Sequence, residues 1–176
     1  MEKLILVTPT SDYVHDITCF RNEIEEAGDA DSFAGCSWLE KYSRVEDWIE
    51  YVYLNQFPEN VSEGHVPSNV YLALRENDHK IVGIIDLRHH INHPVLGVWG
   101  GHIGYTVRPC ERGKGYAAEM LRLNLENARK LGLEKVMITC SPDNPASEKT
   151  ILTNGGVYEK TVEVDGDQIK RYWITL

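Results

Sequence analysis

An extended run that passes through a basic glycine loop straight into a helix start constrains this chain more than any other feature. Residues 103–118 read I-G-Y-T-V-R-P-C-E-R-G-K-G-Y-A-A. The β-branched and aromatic content of Ile103 to Val107 predicts a strand. The alanines after Gly115 predict a helix start. Gly113 and Gly115 let the backbone approach a ligand with no Cβ in the way. The first turn of a helix presents unpaired N–H groups and a partial positive charge. Together these make a cradle for a phosphate or pyrophosphate. Arg108, Arg112 and Lys114 put three cations in this loop of a chain whose formal net charge is −9, so the local sign predicts an anionic ligand.

Three phosphate loops compete for the segment. The Walker A pattern needs Ser or Thr after its lysine, and here Gly115 follows Lys114, so magnesium would lack a hydroxyl ligand. The dinucleotide fingerprint matches at Gly113, Gly115 and Ala118, but Arg108 to Arg112 separate it from the strand. No acidic residue ends the next strand, which runs into Cys140-Ser141-Pro142. The third pattern fits: Arg112 to Ala117 reads R-x-x-G-x-A after Val107-Arg108-Pro109. This resembles the pyrophosphate loop of the GNAT superfamily of acyl-CoA-dependent N-acyltransferases. The resemblance continues through the helix to Leu131, the strand Val136 to Cys140, and Asn144 with its helix, to Gly155-Gly156. The stretch from Asp86-Leu87-Arg88-His89-His90 to Asp143-Asn144-Pro145-Ala146-Ser147 also resembles a bacterial subgroup of predicted acetyltransferases.

The predicted elements follow the order β-α-α-β-β-β-α-β-α-β-β. Lys3 to Thr8 reads as a strand. Ser11 caps a helix over about 12–27, closed by Gly28, and Gly28 to Ser37 is a polar loop. Ser43 and Glu46 form a capping box for a helix to about Gln56. A loop, Phe57 to Asn69, leads to a hairpin of Val70 to Arg75 and Lys80 to Leu87. A long connection, His90 to Gly101, precedes the strand at Ile103. Gly132 ends the following helix, and Asp165-Gly166 turns a last hairpin, Val157 to Val164 and Gln168 to Leu176. The resemblance implies the rest: an α/β fold with a mixed, mostly antiparallel central sheet, helices on both faces, and a splay after the fourth strand. Residues 1–176 are expected to form one domain.

The resemblance also implies the site. Tyr105 and Val107 would pair backbone groups with the pantetheine arm of acetyl-CoA. Arg112, Gly113, Lys114, Gly115, Tyr116 and Ala117 would supply N–H groups to its pyrophosphate. Asn144 would contact the cofactor, with a helix N-cap as its bland role, and Ser147 could reach the sulfur or a pantetheine group. The family's usual tyrosine, seven residues after this asparagine, is here Ile151. The attacking amine must lose a proton, so a base is sought. His102, entering the fourth strand, has a suitable intrinsic pKa. Asp86 on the third strand is the second choice, and Glu111 is expected to be solvated. The implied reaction is acetyl transfer from acetyl-CoA to a primary amine by direct attack. A non-catalytic acyl-CoA sensor and a dinucleotide-binding oxidoreductase domain are the rivals.

Composition narrows the partners. A pI near 5.2 argues against a general nucleic-acid surface. There is no apolar run long enough for a membrane span, and Leu4 to Val7 is too short for a signal-peptide core. Cys19, Cys36, Cys110 and Cys140 lack C-x-x-C spacing, which suits cytoplasmic thiols. The spacing of His89, His90, His93 and His102 lacks the helical pair of a zinc site, so no metal is expected. Trp38, Tyr42 and Trp48 serve as core or as acceptor-pocket walls. The acceptor is a small-molecule or peptide amine. A homodimer through the final hairpin is implied by the resemblance alone.

Overall fold

A computed structural model describes residues 2–28 and 33–176. Among the described residues, seven strands and four α-helices follow in order: β1 (Leu4–Val7), α1 (Val14–Ala27), α2 (Val45–Leu54), β2 (Ser68–Arg75), β3 (Ile81–Arg88), β4 (Tyr105–Val107), α3 (Tyr116–Lys130), β5 (Lys135–Cys140), α4 (Pro145–Thr153), β6 (Val157–Val164) and β7 (Asp167–Thr175). They form two antiparallel sheets, in the orders β1-β2-β3-β4 and β5-β7-β6. The expected α/β architecture and element order are present.

β3 reads I-V-G-I-I-D-L-R and is buried along nearly its whole length, as a central strand covered on both faces must be. Its residues feed two cores, with the alternation shifted by the irregularity opposite Ala73 and Leu74. Ile81 and Ile84 join Leu72 and Leu74 of β2 under Ile17, Phe20 and Ile24 of α1 and Val45, Trp48 and Val52 of α2. Val82, Ile85 and Leu87 face α3, whose Met120, Leu121, Leu125 and Ala128 recur at helical spacing. That second core runs on through Ile151 of α4 and Val136, Ile138, Tyr172 and Ile174 of the smaller sheet. It therefore joins the two sheets where no strand ladder does.

Several local expectations shift. Ser11 starts a 3₁₀ turn, Ser11–Tyr13, and makes no cap bond, so α1 begins at Val14. The Ser43/Glu46 box does not form either; Arg44 stands at the N-cap of α2 without a side-chain bond. Gly28 ends α1 in the left-handed region, as read, while residues 29–32 of the polar loop after it lie outside the described residues. The connection read as plain loop contains a π-helical turn, Leu96–Gly100. Its carbonyls are gripped by two guanidiniums: Arg88 donates to Gly100 and Gly101, and Arg171 to Gly97 and Val98. β4 is shorter than read, beginning at Tyr105 rather than Ile103.

Candidate functional site

The sheets part between β4 and β5, just past a point where two side chains stand in for backbone acceptors. His102 gives its backbone N–H to the Met137 carbonyl at 2.8 Å. Met137 returns its N–H to the imidazole Nδ1 of His102 at 2.9 Å rather than to a backbone carbonyl. Two residues on, Gly104 gives its N–H to Asp86 Oδ1 at 2.6 Å. The Asp86 carbonyl that a regular ladder would use accepts Asn124 Nδ2 from α3 at 2.8 Å. An imidazole and a carboxylate thus replace backbone acceptors where the sheet opens, and this is why β4 is short.

Beyond that point β4 pairs only with β3. The bonds Asp86 N–H to Gly104 O and Arg108 N–H to Val82 O bracket the Ile84–Thr106 pair. By antiparallel alternation, the backbone groups of Tyr105 and Val107 point away from β3, into the opening. The Val107 carbonyl accepts Arg112 Nε at 3.2 Å. The Tyr105 phenol crosses the gap and meets Ser147 Oγ at 2.8 Å. Burial pushes that phenol up to about 12, against a downward pull from Ser147, so it stays protonated. Asn144 caps α4, its side-chain oxygen accepting the Ser147 N–H at 3.0 Å.

The floor of the opening is the glycine loop. Gly113 and Gly115 have φ of +76° and +86°, and Gly115 is the N-cap of α3. A Cβ added at Gly113 would meet nothing within 4 Å, so that glycine serves the backbone turn and leaves open space. Arg112 and Lys114 are exposed; Tyr116 is buried and donates its hydroxyl to Glu2. Two expectations need correction. Arg108 is not a loop cation: it is 1% exposed, bonds Asp16 and the Ile81 carbonyl, and lies 3.1 Å from Glu23. Glu111 is not solvated: it is 4% exposed and paired with Arg75, Lys80 and Lys114. The three cations around it hold its carboxyl below the usual range despite burial.

Both expected bases are held by other work. His102 is 5% exposed, and burial with the nearby Arg88 charge lowers its pKa to about 4. Because Nδ1 accepts an N–H, the ring proton sits on Nε2, and no lone pair remains for a substrate ammonium. Asp86 is 3% exposed, with Arg88 at 3.0 Å on one oxygen and Gly104 on the other. Burial pushes its carboxyl up, and Arg88 and the Gly104 N–H pull it back. Each side chain positions the strand. Ile151 is fully buried in the core cluster shared with α3 and β5.

Sequence reasoning missed Asn124 and the seat of the 33–37 segment. A Cβ on Gly104 would lie 2.7 Å from the Gly35 nitrogen, and one on Gly35 would overlap the Gly104 carbonyl. Two glycines therefore let this segment rest directly on the start of β4, and Thr106 Oγ1 fixes it by bonding the Ala34 carbonyl. A polar residue on the apolar face of α3 was the one available signal for Asn124. Trp48 is core, its indole bonded to the Cys36 carbonyl. Trp38 and Tyr42 instead line a pocket.

Comparison with known proteins agrees with this geometry. No curated protein sequence matches the chain. A protein from Vibrio cholerae described as a candidate ribosomal-protein-serine acetyltransferase has a similar structure at 17% identity, with a TM-score of 0.65 over 100% of this chain and 95% of that one. The microcin C7 self-immunity acetyltransferase MccE, solved with acetyl-CoA and AMP, is similar at 17% identity, TM-score 0.66, over 100% and 94%. Spermidine N-acetyltransferase SpeG from Vibrio cholerae, solved as a point mutant, is similar at 16% identity, TM-score 0.62, over 98% and 94%. At these identities the likeness shows the fold. The family model of the acetyltransferase (GNAT) domain matches residues 3–157, nearly the whole chain, and the protein belongs to the GNAT acetyltransferase family.

Proposed function

We propose that the protein is an acetyl-CoA-dependent N-acetyltransferase that moves the acetyl group to a primary amine by direct attack. One observation carries this reading: the backbone edge of Tyr105 and Val107, which no strand covers among the described residues, runs into a left-handed glycine loop at the N-terminus of α3. That edge suits the amides of a pantetheine arm, and the loop N–H groups with the helix dipole suit its pyrophosphate. Arg112 and Lys114 add positive charge there, and Asn144 and Ser147 line the far side through the Tyr105 bridge. The binding of acetyl-CoA by a protein of the same fold supports the choice of donor.

In the reaction the amine nitrogen attacks the thioester carbonyl carbon, the C–S bond breaks, and the thiolate of CoA leaves. A thiol pKa near 8.5 makes that departure feasible without a dedicated acid. The amine proton passes to water, since His102 and Asp86 are both engaged. The reading includes a cytoplasmic setting and a homodimer through β6, an edge strand exposed along most of its length. Thermal shifts with CoA, acetyl-CoA and NAD, then thiol release across an amine panel, test the proposal. Stabilisation by both CoA forms and thiol release with at least one amine are expected. An acyl-CoA sensor is the second reading, favoured by the commitment of both bases. CoA binding without thiol release for any amine would select it.

A further inference from the structure

A shallow pocket of about 430 Å³ lies on the segment joining α1 and α2 and the loop after α2. Among the described residues it is lined by Trp38, Lys41, Tyr42, Tyr51, Ser62 and His65. Its rings form a connected wall. Trp38 lies 6.1 Å from Tyr51 and 5.2 Å, edge-on, from His65, and Tyr42 stacks on Tyr51 at 5.7 Å. The Lys41 ammonium stands 5.8 Å from the Trp38 ring centroid. The indole is left 41% exposed, unlike the fully buried Trp48 ten residues on.

The backbone is strained to present it so. Ser37 and Trp38 have φ of +46° and +58°. For residues with a Cβ each such conformation costs on the order of 1 kcal/mol or more. The turn seats Cys36 and Leu39 in the core on either side of this pair, and Trp38 itself stays at the surface. The turn is also tied to the opening between the sheets. A Cβ on Gly35 would lie 2.8 Å from the Tyr105 nitrogen, and Trp38 follows three residues later, at most about 11 Å along the chain. A ligand ring seated on Trp38 is thus within one small molecule's length of the β4 edge.

The lining also selects charge. It carries one permanent cation, Lys41, with the Ser62 hydroxyl, the His65 ring and neutral phenols, and no carboxylate among the described lining residues; Asp47 acts on Tyr42 from outside that lining. The Trp38 face that could attract an ammonium already has Lys41 against it, and Lys41 repels a second cation. A flat ring gains offset or edge contacts with Trp38 and Tyr51, and an anionic substituent gains a charge-assisted bond.

Building on the acetyltransferase reading, we propose that this pocket selects the acceptor: a compact amine built on a flat aromatic ring that carries an anionic group, with the ring on Trp38 and the anion on Lys41. Calorimetry on the whole chain tests it with four probes: L-tryptophan (ring and carboxylate), phenyl phosphate (ring and phosphate), tryptamine (ring without anion) and spermidine (no ring). At least one ring–anion probe binds about tenfold or more tighter than tryptamine and spermidine, and the tighter of the two identifies the anion. Trp38→Ala and Lys41→Ala each weaken that binding about tenfold, and they leave the CoA affinity within about twofold. Ring–anion probes that fail to bind, that bind no better than tryptamine or spermidine, or that ignore both substitutions would overturn the assignment. Absence of CoA binding in the parent would sink the acetyltransferase reading; CoA binding with no preference for ring–anion probes would sink this inference alone.

Discussion

Replacing His102 with Asn tests the role of the imidazole at the sheet opening. The Asn side-chain oxygen can still accept the Met137 N–H, but it does not titrate. In the folded chain burial and Arg88 hold the His102 pKa at about 4, against about 6.5 for a free imidazole. The unfolded state therefore binds the proton more readily. Stability from this group is complete above about pH 6.5 and is lost as the pH falls toward 4. Integrated over that window the loss is about 3 kcal/mol. Arg88, His90 and the Trp173 ring face the imidazole, and all three are the same in the variant. Urea unfolding at pH 7, 5.5 and 4 gives the two stability profiles. The parent should lose about 3 kcal/mol more than His102→Asn between pH 7 and 4. Parallel profiles would show that the His102 pKa is not lowered in the folded state and would return it to the list of bases.

The remaining predictions concern packing and charge around the same opening. Gly104→Ala drives a methyl into the Gly35 backbone, so it should cost about 1–3 kcal/mol in urea unfolding, with a loss below about 0.5 kcal/mol refuting the close approach. Asp86→Asn keeps an acceptor for Gly104 but strips Arg88 of its carboxylate, leaving it the Gly100 and Gly101 carbonyls; a loss of about 3 kcal/mol is expected, with the pH profile of kcat/KM unchanged. A collapse of kcat/KM by about a hundredfold or more in a folded Asp86→Asn protein would instead make Asp86 the base. Ile151→Tyr overfills the core of α3, α4 and β5, so it should lower Tm with a cost of about 1–3 kcal/mol, whereas a surface position would tolerate the ring.

Elements built on strong periodicity were legible in the sequence, because burial on both faces of β3 and on one face of α3 leaves a pattern a reader can count. The glycine loop, Asn144 as a cap and the Asp165-Gly166 turn were legible for a second reason: their backbone conformations demand particular residues, and Gly113, Gly115 and Gly166 all have positive φ. What could not be read depends on distant partners. Arg108 looks like a loop cation until α1 brings Asp16 and Glu23 beside it. Glu111 looks solvated until Arg75 and Lys80 surround it. His102 and Asp86 stand out in the sequence because a polar residue entering a buried strand must find a partner. Their chemistry depends on which backbone donors they meet, Met137 and Gly104, and spacing along the chain carries no record of that. The Ser11 and Ser43 caps failed because a 3₁₀ turn and an extended Arg44 took those helix starts instead.

The central claim is that the loop of Arg112 to Ala117 holds the pyrophosphate of acetyl-CoA, and calorimetric titration of CoA into the parent and into Gly113→Asp tests it most directly. The site has room for the new side chain, since a Cβ at Gly113 meets nothing within 4 Å. Its positive φ costs an aspartate on the order of 1 kcal/mol, so the fold should survive and the ligand should suffer. One added negative charge about 4 Å from the pyrophosphate, at an effective dielectric of about 20, opposes binding by on the order of 4 kcal/mol, near a thousandfold in Kd. The account predicts measurable CoA binding by the parent and a loss of at least about a hundredfold in the folded variant. Equal CoA affinity in the two proteins would contradict it.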